Sequence, residues 1–341
     1  MKKTILASAI AAAVMAAPMT ASANVVIYGK IHASIDYVSP DADFVGDVDE
    51  DEGFIFNDSN SQWAITDRTS RIGFKGSEDL GNGLKAIWKA ETHYDIDNGG
   101  WGSGRNAYIG LAGDWGTVLI GRHDTPLKIS TGRLDVFSDM MADYNSTVGF
   151  IDLRPDNVIA YISPNWNGFT FAAAGVASED YGDDLVGDGG YSVAAMYFNN
   201  GFYGSVAWED VSDVTGFDTF EYGRVGLGYI MNAFTLGVVY ENVTRDGIFG
   251  GDADSDKWYV AGAYDFGNNS VKAMYGQREP DNDFGVEVRK TDAWAVGFEH
   301  KFSVRTKVYA LWADSELGLH NHAETKIEGG EGFSMGMVHT F

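Results

Sequence analysis

Five short stretches of this 341-residue chain carry residue types whose spacing could do chemistry. Gly332-Phe-Ser-Met-Gly336 has the G-x-S-x-G spacing of a nucleophile elbow. That motif needs a strand-to-helix turn that lifts the Ser out, with Asp and His following. Here only His339 follows, and the surrounding residues alternate as a strand does. Asp47-Val-Asp-Glu-Asp51 and Asp252-Ala-Asp-Ser-Asp256 space carboxylates closely enough to hold Ca²⁺. The second lacks the Gly needed at position six, and neither has the bidentate Glu at twelve. Both read as solvated acidic loops. His320 and His322 stand two apart, which is not a metal-binding spacing on a helix. Ser138-Asp139-Met-Met-Ala-Asp143 sets two carboxylates four residues apart, able to share one side of a short helical turn. With no phosphate-cradling loop in the chain, neither an enzyme nor a cofactor is expected.

The elements that must position these residues are strands. Val25, Ile27, Gly29, Ile31, Ala33, Ile35 and Tyr37 fall on one side of the first segment. Val26, Tyr28, Lys30, His32, Ser34 and Asp36 fall on the other. This is the period-2 signature of a strand between an apolar and a wet environment. The last ten residues alternate in the same way and finish on Phe341, an ending that suits the closing strand of a membrane barrel. At the other end, Lys2 and Lys3 precede an apolar stretch, Ile5 to Ala17, and an Ala21-Ser22-Ala23 cleavage site. Residues 1–23 therefore read as a secretory signal and residues 24–341 as the folded chain.

Composition narrows the classes. With 0 Cys, an exported chain is held by something other than disulfides. Gly, at 43, is abundant and Pro, at 6, scarce, while aromatics reach 13%. Without Lys2 and Lys3 the 24 basic residues fall to 22 against 49 acids, a net charge of −27. Such a chain repels phosphate, so nucleic acid is excluded as a partner. Mean hydropathy is below zero, which a barrel tolerates because only alternate positions meet lipid.

Short polar turns recur near Gly81, Asp114, Trp166, Asn200, Asn232, Asn268 and Val304, at intervals of 33, 52, 34, 32, 36 and 36 residues. An interval of about 34 fits two ten-residue strands, one tight turn and one longer loop. Longer polar segments alternate with the turns: Ser39–Ser61, Asp95–Gly104, His123–Asn157, Ser178–Gly190, Asp210–Thr219, Val243–Asp256, Glu279–Lys290 and Asp314–Glu331. The pattern predicts an all-β fold, a 16-stranded antiparallel transmembrane barrel with short periplasmic turns and long outer loops. The discordant interval, 52, contains His123–Asn157. Surplus chain of that length in a wide barrel is expected to fold into the lumen and narrow it.

Ser70-Arg-Ile-Gly-Phe-Lys-Gly-Ser-Glu-Asp-Leu-Gly-Asn-Gly-Leu-Lys-Ala-Ile-Trp-Lys-Ala-Glu91 resembles the trimeric general-diffusion porins of Gram-negative bacteria. Tyr28-Gly29-Lys30, Gly110-Leu111, Gly116-Thr117-Val118, Gly121-Arg122, Asn157-Val-Ile-Ala-Tyr-Ile-Ser-Pro164 and the terminal Phe341 resemble the same family. The resemblance implies an outer-membrane homotrimer in contact with lipid and lipopolysaccharide, passing small hydrophilic solutes and ions. It also implies an eyelet in which acids of the third loop, Asp139 and Asp143, face wall cations Lys30, Arg71, Arg105 and Arg154. Strand parity independently puts Lys30 and Arg71 on the polar face. Asp135, Arg122 and Arg133 are secondary candidates, and Arg122 shares parity with the apolar Val118 and Ile120. A substrate-selective porin with a weak internal site is the alternative reading. The acidic outer loops around the mouth are expected to favour cations, with a preference that fades as salt rises.

Overall fold

The alternation that opens the mature chain becomes a long first strand, β1 (Asn24–Pro40), whose two faces meet different surroundings. Ile27 and Ile35 are exposed on the outer face, at 61% and 48%, while His32, Ser34 and Asp36 are buried on the inner one. The computed structural model describes residues 24–40, 61–177, 190–211, 218–247, 254–280, 289–319 and 329–341. The expected signal segment, the acidic stretch 47–51, and His320 and His322 lie outside the described residues.

The chain continues through β2 (Gln62–Asp67), β3 (Arg71–Gly81), β4 (Leu84–Tyr94), β5 (Trp101–Gly113) and β6 (Gly116–Arg122). After the third loop come β7 (Val158–Ile162), β8 (Phe169–Val176), β9 (Tyr191–Asn199), β10 (Phe202–Val211), β11 (Asp218–Met231) and β12 (Phe234–Gly247). The last five are β13 (Ser255–Phe266), β14 (Asn269–Pro280), β15 (Thr291–Lys301), β16 (Thr306–Ser315) and β17 (Gly330–Thr340). Each pairs antiparallel with its neighbours, and β17 returns to β1 with Lys30 opposite Thr340 and Pro40 opposite Gly330. Gly29 and Phe341 exchange two backbone hydrogen bonds of 3.1 Å, which completes the seam. A closed sheet satisfies every ladder group internally, the condition for crossing lipid with strands.

β2 and β3 are two halves of one span, so the seventeen segments make a sixteen-stranded barrel. β1 pairs with β2 in the register Ala33↔Asp67 and with β3 in the register Lys30↔Arg71, a shift of one residue. The extra residue is absorbed at Arg68–Ser70, where Thr69 takes a positive φ of 55°. Such a bulge re-aims the side chains that follow it. The buried Arg68 guanidinium turns back onto β1, 2.5 Å from the Asp36 carboxylate and 2.9 Å from Ser34 Oγ.

All seven short turns fall where the spacing predicts them. At Asn82-Gly83 and Asn200-Gly201 both residues have positive φ, the geometry that joins two twisted strands most tightly. The outer boundaries differ from expectation. β5 begins at Trp101, β11 at Asp218 and β12 runs to Gly247, inside segments expected to be loops. Polar side chains there do not end the strands, because paired neighbours continue the ladder above the apolar belt.

The largest apolar core lies inside the lumen. Leu134, Phe137 and Met141 of the third loop are fully buried against Val239, Tyr259, Ala295 and Leu311 of the inner wall. The wall makes room with glycines. A Cβ on Gly297 would stand 2.8 Å from the Phe137 ring, one on Gly237 3.0 Å from the Leu134 carbonyl, and one on Gly332 2.7 Å from Met141 Sδ. Full burial of one such loop side chain contributes about 1.5–3 kcal/mol, so the loop is held chiefly by packing.

Candidate functional site

The third loop leaves β6 at Arg122 and turns inward at once. Thr125 caps a short helix, Pro126–Thr131, by accepting from the Lys128 amide at 3.3 Å. The Thr125 amide donates to the Leu153 carbonyl at 3.2 Å, tying the loop's two roots together. Farther along, Asp143 caps a second short helix, Tyr144–Thr147, accepting from the Asn145 amide at 2.9 Å.

Asp139 and Asp143 do not share a helical turn. Asp139 adopts a positive φ of 62°, which breaks any helix across the segment. The Asp139 amide donates to Asp143 Oδ2 at 2.8 Å. That bond draws the Asp143 carboxylate into the loop, where it is 8% exposed, and leaves the Asp139 carboxylate pointing forward. Asp143 is thus a cap that shapes the loop tip. Burial pushes its carboxyl up to about 7, opposed by the two amides and assisted by the Asp139 charge. Asp135, buried beside it, is also raised, first by burial and then by Asp143. Asp135 accepts from the Phe137 amide at 2.9 Å and from the Tyr259 hydroxyl at 3.1 Å, which pins the loop to β13.

Asp139 meets the wall. Its Oδ2 is in direct contact with the Lys30 ammonium and lies 3.3 Å from Arg71 Nη1. Burial works to raise this carboxyl, yet the Lys30 and Arg71 charges hold it well below the usual carboxylate range. Lys30 and Arg71 are register partners on β1 and β3, so their meeting follows from the barrel's seam region.

Arg105 and Arg154 face different acids. Arg105 Nε is 2.8 Å from Glu91, which also takes Lys89 at 3.2 Å and the Tyr28 hydroxyl at 2.6 Å. Arg154 Nε is 2.8 Å from Asp124, which also takes Lys128 at 3.2 Å and the Asn106 amide at 2.8 Å. Lys128 and Arg154 hold the Asp124 carboxyl low against the opposing effect of burial. The acids Glu91 and Asp124 were not read from the sequence. β4 did carry a signal for one of them: Lys85, Lys89, Glu91 and His93 all fall on one parity.

The secondary candidates go elsewhere. Arg122 pairs with Asp156 at 2.7 Å. Arg133 lies over the rings of Tyr203 and Phe198, 4.6 and 5.0 Å from their centroids. Another cation that sequence reasoning passed over is Arg224, buried on β11, 2.7 Å from Asp152 of the loop and 2.5 Å from Glu241. Lys257 reaches the same Glu241 at 2.9 Å. Ser334, the centre of the G-x-S-x-G match, is fully buried within β17, where no strand-to-helix turn presents it. Asp256 of the second acidic stretch accepts from the Tyr240 hydroxyl at 2.7 Å.

A closed barrel of this kind is shared with known proteins. The model of the Gram-negative porin family matches residues 6–317. The chain belongs to the Gram-negative porin family. It is 29% identical over 341 residues to the major outer membrane protein P.IB of Neisseria meningitidis serogroup B, covering 95% of this chain and 97% of that protein. The gonococcal protein of the same name is 28% identical over 353 residues, with the same coverage of 95% and 97%. Among solved structures, the anion-selective porin from Comamonas acidovorans superposes with a TM-score of 0.74 at 24% identity, covering 94% of this chain and 100% of that one. The trimer form of OmpT from Vibrio cholerae superposes with a TM-score of 0.69 at 17% identity, covering 94% and 100%. This porin is an outer-membrane β-barrel that forms a passive diffusion channel.

Proposed function

We propose that the channel narrows where the Asp139 tip of the third loop meets the Lys30–Arg71 wall, and that this passage favours anions. The observation that carries the reading is a charge count: Asp139, Glu91 and Asp124 are each contacted by two cations. Lys30, Arg71, Lys89, Arg105, Lys128 and Arg154 therefore leave an excess of positive charge beside the path. Opposed charges across a wet constriction orient water, so hydrated solutes cross readily and apolar ones are disfavoured. Partial pairing keeps any one solute from being held tightly.

The acidic outer loops act in the opposite sense. Their field is screened within about 10 Å at 0.1 M salt, whereas the constriction acts at contact distance. Anion preference therefore governs at moderate salt, and the loops weaken it at low salt. The Comamonas neighbour described as anion-selective is consistent with this direction. The trimeric form of the Vibrio neighbour supports a homotrimer, seated in lipid and lipopolysaccharide after removal of residues 1–23.

Single-channel recording of the purified protein across a KCl gradient tests the reading. Ohmic openings in groups of three, with a reversal potential of the sign set by chloride, are expected. A reversal potential set by potassium at 1 M salt would show that the wall cations do not govern selectivity.

A further inference from the structure

Behind the root of the third loop lies a cavity of about 230 Å³ that the constriction does not use. Thr125, Leu153, Val158, Val176, Tyr191 and Glu209 line it, so it is bounded by both loop roots and by strands β7 to β10. Its walls are mainly apolar, yet Glu209 on β10 is 1% exposed within it. Neither Glu209 carboxylate oxygen closes a hydrogen bond of ordinary geometry. Its nearest polar neighbours are the hydroxyls of Thr125 and Ser192. Both hydroxyls accept from the loop, from the Lys128 amide at 3.3 Å and the Leu127 amide at 3.0 Å, and so keep an O–H to turn toward Glu209, but they bring no charge to it.

The cations in reach are committed elsewhere. Arg154, also in the lining, is paired with Asp124 at 2.8 Å. Arg224 is taken by Asp152 and Glu241 at 2.7 and 2.5 Å. Among the described residues no ion pair reaches Glu209. A carboxylate sealed among apolar side chains without a counter-ion is costly, and a bound cation removes that cost.

We propose that this cavity binds a small organic cation, a protonated amine carried on an apolar body, with Glu209 as its counter-ion. Size and wall chemistry both limit the ligand. A cavity of about 150 Å³ holds a single benzene ring. The larger volume here accommodates one ring with a short amine arm. Because Thr125 and Leu153 belong to the two tied roots of the loop, an occupant bears on the element that narrows the channel.

Phenethylammonium chloride is the probe, titrated by calorimetry into the intact, detergent-solubilised protein, with uncharged 2-phenylethanol as its partner. Saturable binding of the ammonium compound is expected, at least about tenfold tighter than the alcohol. Glu209→Gln keeps the shape of the site and is expected to abolish that preference. Ala174→Phe puts a ring into the same cavity and is expected to remove binding with the charge intact. Heat-modifiable migration on gels confirms that each variant is folded. No saturable binding by the parent protein, equal affinity in Glu209→Gln, or binding that survives Ala174→Phe would each overturn the assignment. Binding lost in Asp139→Asn but retained in Glu209→Gln would move the amine to the constriction and overturn it equally.

Discussion

Lys30 on the first strand and Asp139 at the tip of the third loop meet in an ion pair across 109 residues of chain. The contact spans the lumen side of the barrel, and Arg71 joins it at 3.3 Å. It links the loop's position to the charge pattern of the wall.

Asp139→Asn removes the acid and leaves Lys30 and Arg71 facing the path unopposed. Chloride preference is expected to rise, with a reversal potential shifted further in the same sign. The pair is largely buried, with side chains 11% and 25% exposed, so its loss also lowers the unfolding temperature, at a cost below the about 3–5 kcal/mol of a fully buried pair. An unaltered reversal potential would place Asp139 away from the ion path.

Gly297→Val tests how the loop is seated. The added side chain meets the Phe137 ring, and overpacking of this kind costs about 1–3 kcal/mol. The barrel ladder is untouched by it. A folded protein with altered single-channel conductance and noisier openings is expected, whereas Gly104→Val, with open space around its Cβ position, serves as a silent control.

Arg224→Met strips the counter-ion from Asp152 and leaves Glu241 to Lys257 alone. Breaking a buried ion pair from one side costs about 3–5 kcal/mol because the stranded charge cannot rehydrate. A lower thermal transition and a loop root newly open to protease near Ile151 and Asp152 are expected. Arg224→Met with Asp152→Asn recovers part of the loss, and limited proteolysis with calorimetry measures both.

The loop tip is expected to loosen as pH rises. Asp143 has a folded-state pKa of about 7, above the ordinary value of about 3.9 for an unfolded chain. A carboxyl raised in this way contributes stability that is complete below the unfolded value and lost as pH climbs through about 7. Current fluctuations should therefore grow between neutral and mildly alkaline pH and become pH-independent in Asp143→Asn. Fluctuations that grow instead on acidification through this range would contradict the assignment.

Much of the barrel was legible because a strand's alternation and a tight turn are local properties. β1 shows both faces in its own residues, and Asn82-Gly83 and Asn200-Gly201 announce their turns without reference to anything distant. Lys30 and Arg71 were legible for the same reason, since parity assigns a side chain to a face. Asp143 was misread because the spacing of two acids says nothing about which one the backbone turns away. Arg105 lies on β5 and Arg154 on the returning limb of the third loop rather than on a strand, and their acids, Glu91 and Asp124, depend on chain brought together only by closure.

The sequence by itself determined the sheet class, the sixteen spans, the seven turns and the inward third loop, because periodicity and turn chemistry act within a few residues. Tertiary structure decided which lumen wall is apolar, since Val239, Ala295 and Leu311 break the polar-inward rule only because Leu134, Phe137 and Met141 cover them. It also decided where β2 and β3 join, and which cation meets which acid. Those outcomes rest on register around a closed ring, and register places side chains far apart in the chain within a few ångströms of one another.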